Sequence, residues 1–146
     1  LVPNIVPTVG LNHFLNVVMG ATVKSPTWWV GIFKNNITPV AGDTSASLGA
    51  AGAYGECQDA DYNLPLTNRP EYIDAPSTAG VMTNTASRAA FTMAATITVY
   101  GAFMVDVQPK TGTTGTLLAA KRFTVSRAVV AADELFVTYQ ITATSA

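Results

Sequence analysis

Histidine and cysteine are almost missing from this chain: His13 is the only residue of the first kind and Cys57 the only one of the second. A single cysteine excludes an intrachain disulfide framework and a cysteine-based metal cluster. A single histidine leaves no His-rich metal site and one imidazole at most for general-base chemistry. Charge is scarce too, at 12 % of residues, about half the share of an average soluble domain. The net charge is −1, and the Lys and Arg residues are scattered. This pattern predicts no nucleic-acid footprint and no attraction to an anionic membrane. Each apolar run is cut by Gly, Asn or Thr before it reaches the length of a membrane span. The opening Leu1-Val2-Pro3-Asn4-Ile5-Val6-Pro7 lacks the basic start and continuous apolar stretch of a signal peptide. No Gly-x-Ser-x-Gly, P-loop or dinucleotide fingerprint occurs.

What is present is apolar and β-prone. The 146 residues, 49 % of them hydrophobic, suit one domain with its own core. Thr is abundant, and its β-branched side chain packs well on a pleated, half-buried surface. Residues 1–7 read as an extended arm, since two prolines lock φ and disfavour helix before them. From 8 to 21, Leu11, Phe14, Leu15, Val18 and Met19 recur at helical spacing, with Thr8 as N-cap and Gly20 as terminator. That helix is expected to lay its apolar stripe on a sheet.

Strand signals follow. Thr27 to Lys34 is aromatic and β-branched, and Trp28 and Trp29, being adjacent, should face opposite sides. Residues 37–76 form a long irregular region rich in Pro and Gly, with short strand pieces near 54–58 and 71–74. Local pairing is expected near Gly80 to Asn84, then strands over Arg88–Ala94, Thr96–Val107, Thr116–Val125 and Glu134–Ala143. Phe91 and Met93 should share a face, as should Ile97, Val99, Phe103, Val105 and Val107, while Gly101 suggests a bulge or a close backbone approach. Such a series predicts a single mainly β domain over 1–146, an antiparallel β-sandwich of immunoglobulin-like or jelly-roll-like type with one N-terminal helix.

Chemistry is harder to find. His13 reads as a surface or partly buried helix residue, and Cys57 as a buried thiol without a catalytic partner. Asp59-Ala60-Asp61, with Glu56 upstream, is the densest carboxylate cluster. It falls short of a calcium loop in ligand number and spacing, and reads as a solvated acidic loop. Thr111 to Thr116 is glycine-rich but has no lysine or helix behind it, so it reads as a hairpin loop. No catalytic residue, metal ligand or cofactor is assigned, and the chain is expected not to be an enzyme.

The order of several motifs carries a resemblance. They are Gly10-Leu11-Asn12-His13-Phe14-Leu15-Asn16, Trp28-Trp29-Val30-Gly31-Ile32-Phe33, Ala41-Gly42-Asp43-Thr44 and Asn68-Arg69-Pro70-Glu71-Tyr72. Then come Val99-Tyr100-Gly101-Ala102-Phe103, Thr113-Thr114-Gly115-Thr116-Leu117 and Val130-Ala131-Ala132-Asp133-Glu134-Leu135-Phe136-Val137-Thr138-Tyr139. In this order they resemble a group of small phage structural proteins encoded beside capsid genes. Where that group often reads Ala-Gly-Asp, this chain has Ala131-Ala132-Asp133. The resemblance implies a virion component, a decoration or cement protein on the capsid exterior, assembled in the host cytoplasm. Its implied partners are the major capsid protein and further copies of itself, as a dimer or trimer.

The residues themselves nominate contact surfaces. Leu1, Val2, Ile5 and Val6 make the arm too apolar for a solvated tail, and Tyr62 and Tyr72 lie in the long irregular region. Two other readings remain beside decoration. One is a head-to-tail connector or tail subunit. The other is a sugar-binding module of a head or tail fibre, stacking sugars on Trp28, Trp29, Tyr54, Tyr62 or Tyr72.

Overall fold

The computed structural model describes residues 5–77 and 79–142. Among them one helix and eight strands follow in order: α1 (Thr8–Met19), β1 (Trp29–Phe33), β2 (Tyr62–Leu64), β3 (Val81–Thr83), β4 (Ala89–Met93), β5 (Ile97–Val105), β6 (Leu117–Val129), β7 (Glu134–Val137) and β8 (Gln140–Thr142). The strands make three antiparallel sheets, ordered β1-β5-β6, β2-β4-β7 and β3-β8. The protein is therefore mainly β with one helix, as the strand series predicts.

β1 and the second half of β5 are buried on both faces, their successive side chains pointing to opposite sides into two cores. On one side Val30, Ile32, Ala102 and Met104 join Tyr62, Phe91, Met93 and Val137 of the β2-β4-β7 sheet. On the other, Phe33, Phe103 and Val105 pack with Leu48 and Tyr54 of the long irregular region. Edge-to-face ring contacts, Phe33 on Tyr54 at 4.9 Å and Tyr62 on Phe91 at 5.0 Å, anchor the two cores. Gly31 makes room for this packing, since a Cβ there would collide with the Phe103 ring.

Gly101 turns the pattern over. The β5–β6 register shifts between Val99 and Gly101, and a Cβ on Gly101 would strike the Lys121 carbonyl oxygen and the Phe33 ring. Both readings of this glycine, bulge and close approach, are thus met. The bulge also corrects the expected single face: Val99 belongs to the first core, while Phe103 and Val105 belong to the second. The extra residues of the bulge lie on β6, where Arg122 to Arg127 faces Val99 to Gly101.

Other boundaries moved. The expected strand over Glu134–Ala143 is two strands, β7 on β4 and β8 on β3. Its alternation survives the break, with Val137 and Tyr139 buried and Phe136 and Gln140 exposed. The Gly80–Asn84 segment does not pair locally: Val81 lies opposite Thr142, far along the chain. In the long irregular region the only strand is β2, while Glu56 and Glu71 make single bridges to Phe33 and Trp29.

The helix packs by an unexpected face. Val9, Gly10, His13 and Val17 turn inward, and Gly10 is the one fully buried residue. Its backbone lies on β6 so closely that a Cβ would meet the Leu118 carbonyl oxygen. His13 closes the contact edge-to-face on Trp28, ring centres 5.3 Å apart. Leu11, Phe14, Leu15, Val18 and Met19, the stripe expected to cover the sheet, face outward instead. Close backbone approach at Gly10 selects the slim face over the bulky one. Pro7 rather than Thr8 occupies the N-cap, without a side-chain cap, while Gly20 does end the helix, its N–H donating to Asn16 O at 3.0 Å.

Candidate functional site

The nominated contact residues divide three ways. Leu1 and Val2 lie outside the described residues. Ile5 is held by its own chain, exchanging backbone hydrogen bonds with Ala120 of β6 at 3.1 and 3.0 Å, and Val6 packs against the first core. These two act as an added edge segment of the sheet. Tyr62 and Tyr72 are 0 % and 5 % exposed, so neither offers a face to a partner or a sugar. This corrects their nomination. Each is an aromatic drawn into the core, Tyr62 against Phe91 and Tyr72 with its hydroxyl donating to Tyr139 O at 3.2 Å. Tyr54 is buried likewise, and its hydroxyl donates to Asp43 at 2.9 Å. Trp28 and Trp29 are half-buried.

The acidic cluster is not a solvated loop. Each carboxylate is met by a cation from elsewhere in the chain, which draws three ion pairs together around residues 56–61. Arg69 donates to both Glu56 oxygens, at 2.6 and 2.8 Å, with both side chains fully buried. Nη1 donates to the Val107 carbonyl, and Nη2, besides Glu56, reaches the carbonyls of Lys110 and Gly112. Lys110, itself buried, donates to Asp59 at 2.7 Å and to Tyr62 O at 2.8 Å, with its ammonium 3.5 Å from the Tyr62 ring centre. Lys34 at the end of β1 donates to both oxygens of Asp61, at 2.9 and 2.7 Å.

The electrostatics follow from this packing. Burial raises the Glu56 carboxyl above its ordinary range, and the Arg69 hydrogen bonds oppose that rise. Asp59 is different: the Lys110 hydrogen bond holds it below the usual carboxylate range, with the Thr67 N–H adding to the effect. Burial pushes the Cys57 thiol up to about 12, so it is an inert core residue at neutral pH. The lattice is architectural in what it touches, fastening residues 54–70 to the 106–112 turn and to β1. Sequence reasoning saw the carboxylates and missed their partners. The available signal was the presence of Arg69 and Lys110, each beside a Pro, in a chain with few cations.

Two surface features remain that could act on something outside the chain. The first is the outward face of α1. Leu15, Val18 and Met19 are 61, 75 and 81 % exposed, and Leu11, Phe14 and the nearby Val23 are exposed with them. At 100° per residue these α1 side chains share one side of the helix, and neither its first nor its last turn carries a charge. The second is a cleft of about 500 Å³ bordered by β6 and β7. No protein-family model matches the chain, and no curated protein matches it.

Proposed function

We propose that this chain is a structural subunit of a phage particle, a decoration or cement protein that bridges capsomers on the capsid exterior. The fold behind it is a β-sandwich of immunoglobulin-like or jelly-roll-like type, a reading supported by the core that β1, β5 and β6 share with β4 and β7. The observation that carries the functional reading is the uncharged apolar face of α1. The largest contiguous apolar patch on a monomer is often functional, and patches beyond a few hundred Å² mark interaction surfaces. In an assembly this face is covered by the major capsid protein or by another copy of the chain. Many copies, each with a modest interface, stabilise a shell by multivalency. The sugar-binding reading keeps only Trp28 and Trp29 of its five platforms at the surface, both half-buried, since Tyr54, Tyr62 and Tyr72 are buried.

Mass spectrometry of purified particles of the encoding phage tests the proposal. Hundreds of copies per head are expected. A handful of copies would assign the chain to a connector or tail part instead, and absence from the particle would overturn both. A second arm uses Leu15→Glu and Val18→Glu, which alter exposed positions and leave the melting temperature nearly unchanged. Both variants should lose attachment to heads stripped of the protein; undiminished attachment would remove α1 from the interface.

A further inference from the structure

The cleft between β6 and β7 has the parts of a strand-acceptor site. Its walls include Lys121, Phe123 and Arg127 from β6 and Leu135, Val137 and Thr138 from the β7 side. Both walls are sheet edges: β7 ends the β2-β4-β7 order, and β6 ends the β1-β5-β6 order, with Ile5 covering its outer side at Ala120 and not along the cleft-lining residues 121–127. An edge strand presents N–H and C=O groups that no neighbouring strand satisfies. The bordering part of β6 is open even on its inner side, because Arg127 pairs with Val99 and Arg122 with Gly101, which leaves Phe123 to Ser126 without a register partner on β5. Residues 124–128 are exposed. The thirteen residues of β6 pair end to end with the nine of β5, Leu117 with Val105 and Val129 with Ile97, so most of the surplus is looped into this stretch.

Charge identifies the occupant. Lys121 and Arg127 line the cleft, no acidic residue lines it, and neither cation has an ion pair among the described residues. Arg88 adds a third cation at the rim, its guanidinium 4.7 Å from the ring centre of Phe136, which also borders the cleft. Cations on an edge strand discourage pairing with a second, equally charged edge. They favour a strand that brings carboxylates. Phe123 and Leu135, both half-buried, offer apolar contact between the charges.

We infer that this cleft binds an extended acidic peptide segment of a partner chain, which adds as a strand between β6 and β7. Backbone hydrogen bonds to the open edges hold the segment. Alternate carboxylates meet Lys121 and Arg127, and the apolar side chains between them rest on Phe123 and Leu135. This mode of strand addition draws affinity from the main chain and selectivity from alternate side chains. The inference concerns a surface remote in sequence from α1 and stands whether or not the chain is a virion protein.

The test is fluorescence anisotropy with a labelled peptide of alternating Glu and Val, alongside the same peptide N-methylated at every second residue. Saturable binding is expected, weakened about tenfold or more by Arg127→Glu, by Lys121→Gln and by N-methylation. Arg127 is exposed, so its replacement leaves the fold intact. Amide shift changes should fall on residues 121–127 and 134–138. Equal binding of the N-methylated peptide would overturn strand addition. Tighter binding of a thymidine decanucleotide would make the cleft a general polyanion surface and overturn the peptide assignment, as would no binding at millimolar peptide.

Discussion

Replacing Arg69 with methionine tests the claim that a buried ion pair fastens the long irregular region. The guanidinium meets five acceptors, two on Glu56 and one each on Val107, Lys110 and Gly112. Methionine fills much of the volume but donates to none of them. Removing one partner of a buried pair costs about 3–5 kcal/mol, because the other charge stays buried without compensation. Orphaned carbonyls would add about 1 kcal/mol each if water could not reach them. The Lys110 carbonyl keeps the Gln58 Nε2 donor at 3.2 Å, which limits that addition. A loss of about 4–5 kcal/mol follows.

Urea denaturation followed by tryptophan fluorescence reads this directly. With a slope of about 2 kcal/mol per molar, the midpoint falls by about 2 M, and the melting temperature by about 10–15 °C. The deficit should also depend on pH. Without Arg69 the buried Glu56 carboxyl rises further above its unfolded value, so the folded state takes up a proton as pH falls. The deficit is therefore largest well above the unfolded carboxyl pKa of about 4.3 and shrinks toward it. The double variant Glu56→Leu with Arg69→Met removes both charges and should recover to within about 1 kcal/mol of the parent, as apolar replacements of buried pairs do. A loss under about 1 kcal/mol in the single variant, or a double variant no better than the single, would refute the reasoning.

Three further outcomes are expected. Ala132 sits at φ +73 in the β6–β7 turn, a left-handed conformation that costs a residue with a Cβ about 1 kcal/mol or more. Ala132→Gly should therefore stabilise by about 0.5–1 kcal/mol after the greater unfolded-state freedom of glycine is deducted, measured by thermal melting. Gly101→Ala should destabilise by about 1–3 kcal/mol through overpacking against the Lys121 backbone, whereas Gly42→Ala, with no atom within 4 Å of its Cβ, should be nearly silent. The Lys110 hydrogen bond holds Asp59 below the usual carboxylate range, so its contribution is complete above the unfolded value of about 3.9 and is lost as pH falls through the depressed folded value; Asp59→Asn should flatten this part of the acid unfolding curve.

Sheet content was readable because alternation in β4 and along β7 into β8 is strong and local. Phe91, Met93, Val137 and Tyr139 are buried as their spacing predicts. What escaped was decided by contacts distant in sequence. β3 finds its partner in β8 near the other end of the chain, and no local signal distinguishes that from a nearby hairpin. The same holds for the three ion pairs, whose partners are 13, 27 and 51 residues apart. A carboxylate cluster read without its cations looks solvated.

The helix gives the opposite lesson, since its periodicity was legible and its orientation was not. Amphipathic spacing says which side chains share a face, and it leaves open which surface covers them. Here α1 is apolar on two sides. Gly10 lets one side lie against β6 at backbone distance, and that contact leaves Leu11, Phe14, Leu15, Val18 and Met19 uncovered. Among the described residues six charged and polar side chains are thus buried, Glu56, Asp61, Arg69 and Lys110 among them, while a bulky apolar face stands in water. Burying ions costs desolvation, and exposing leucine and methionine forgoes the gain that folding would otherwise take from them. That combination supports the proposal that α1 is a surface to be covered, and Leu15→Glu, at an exposed position, tests it: undiminished attachment would refute it.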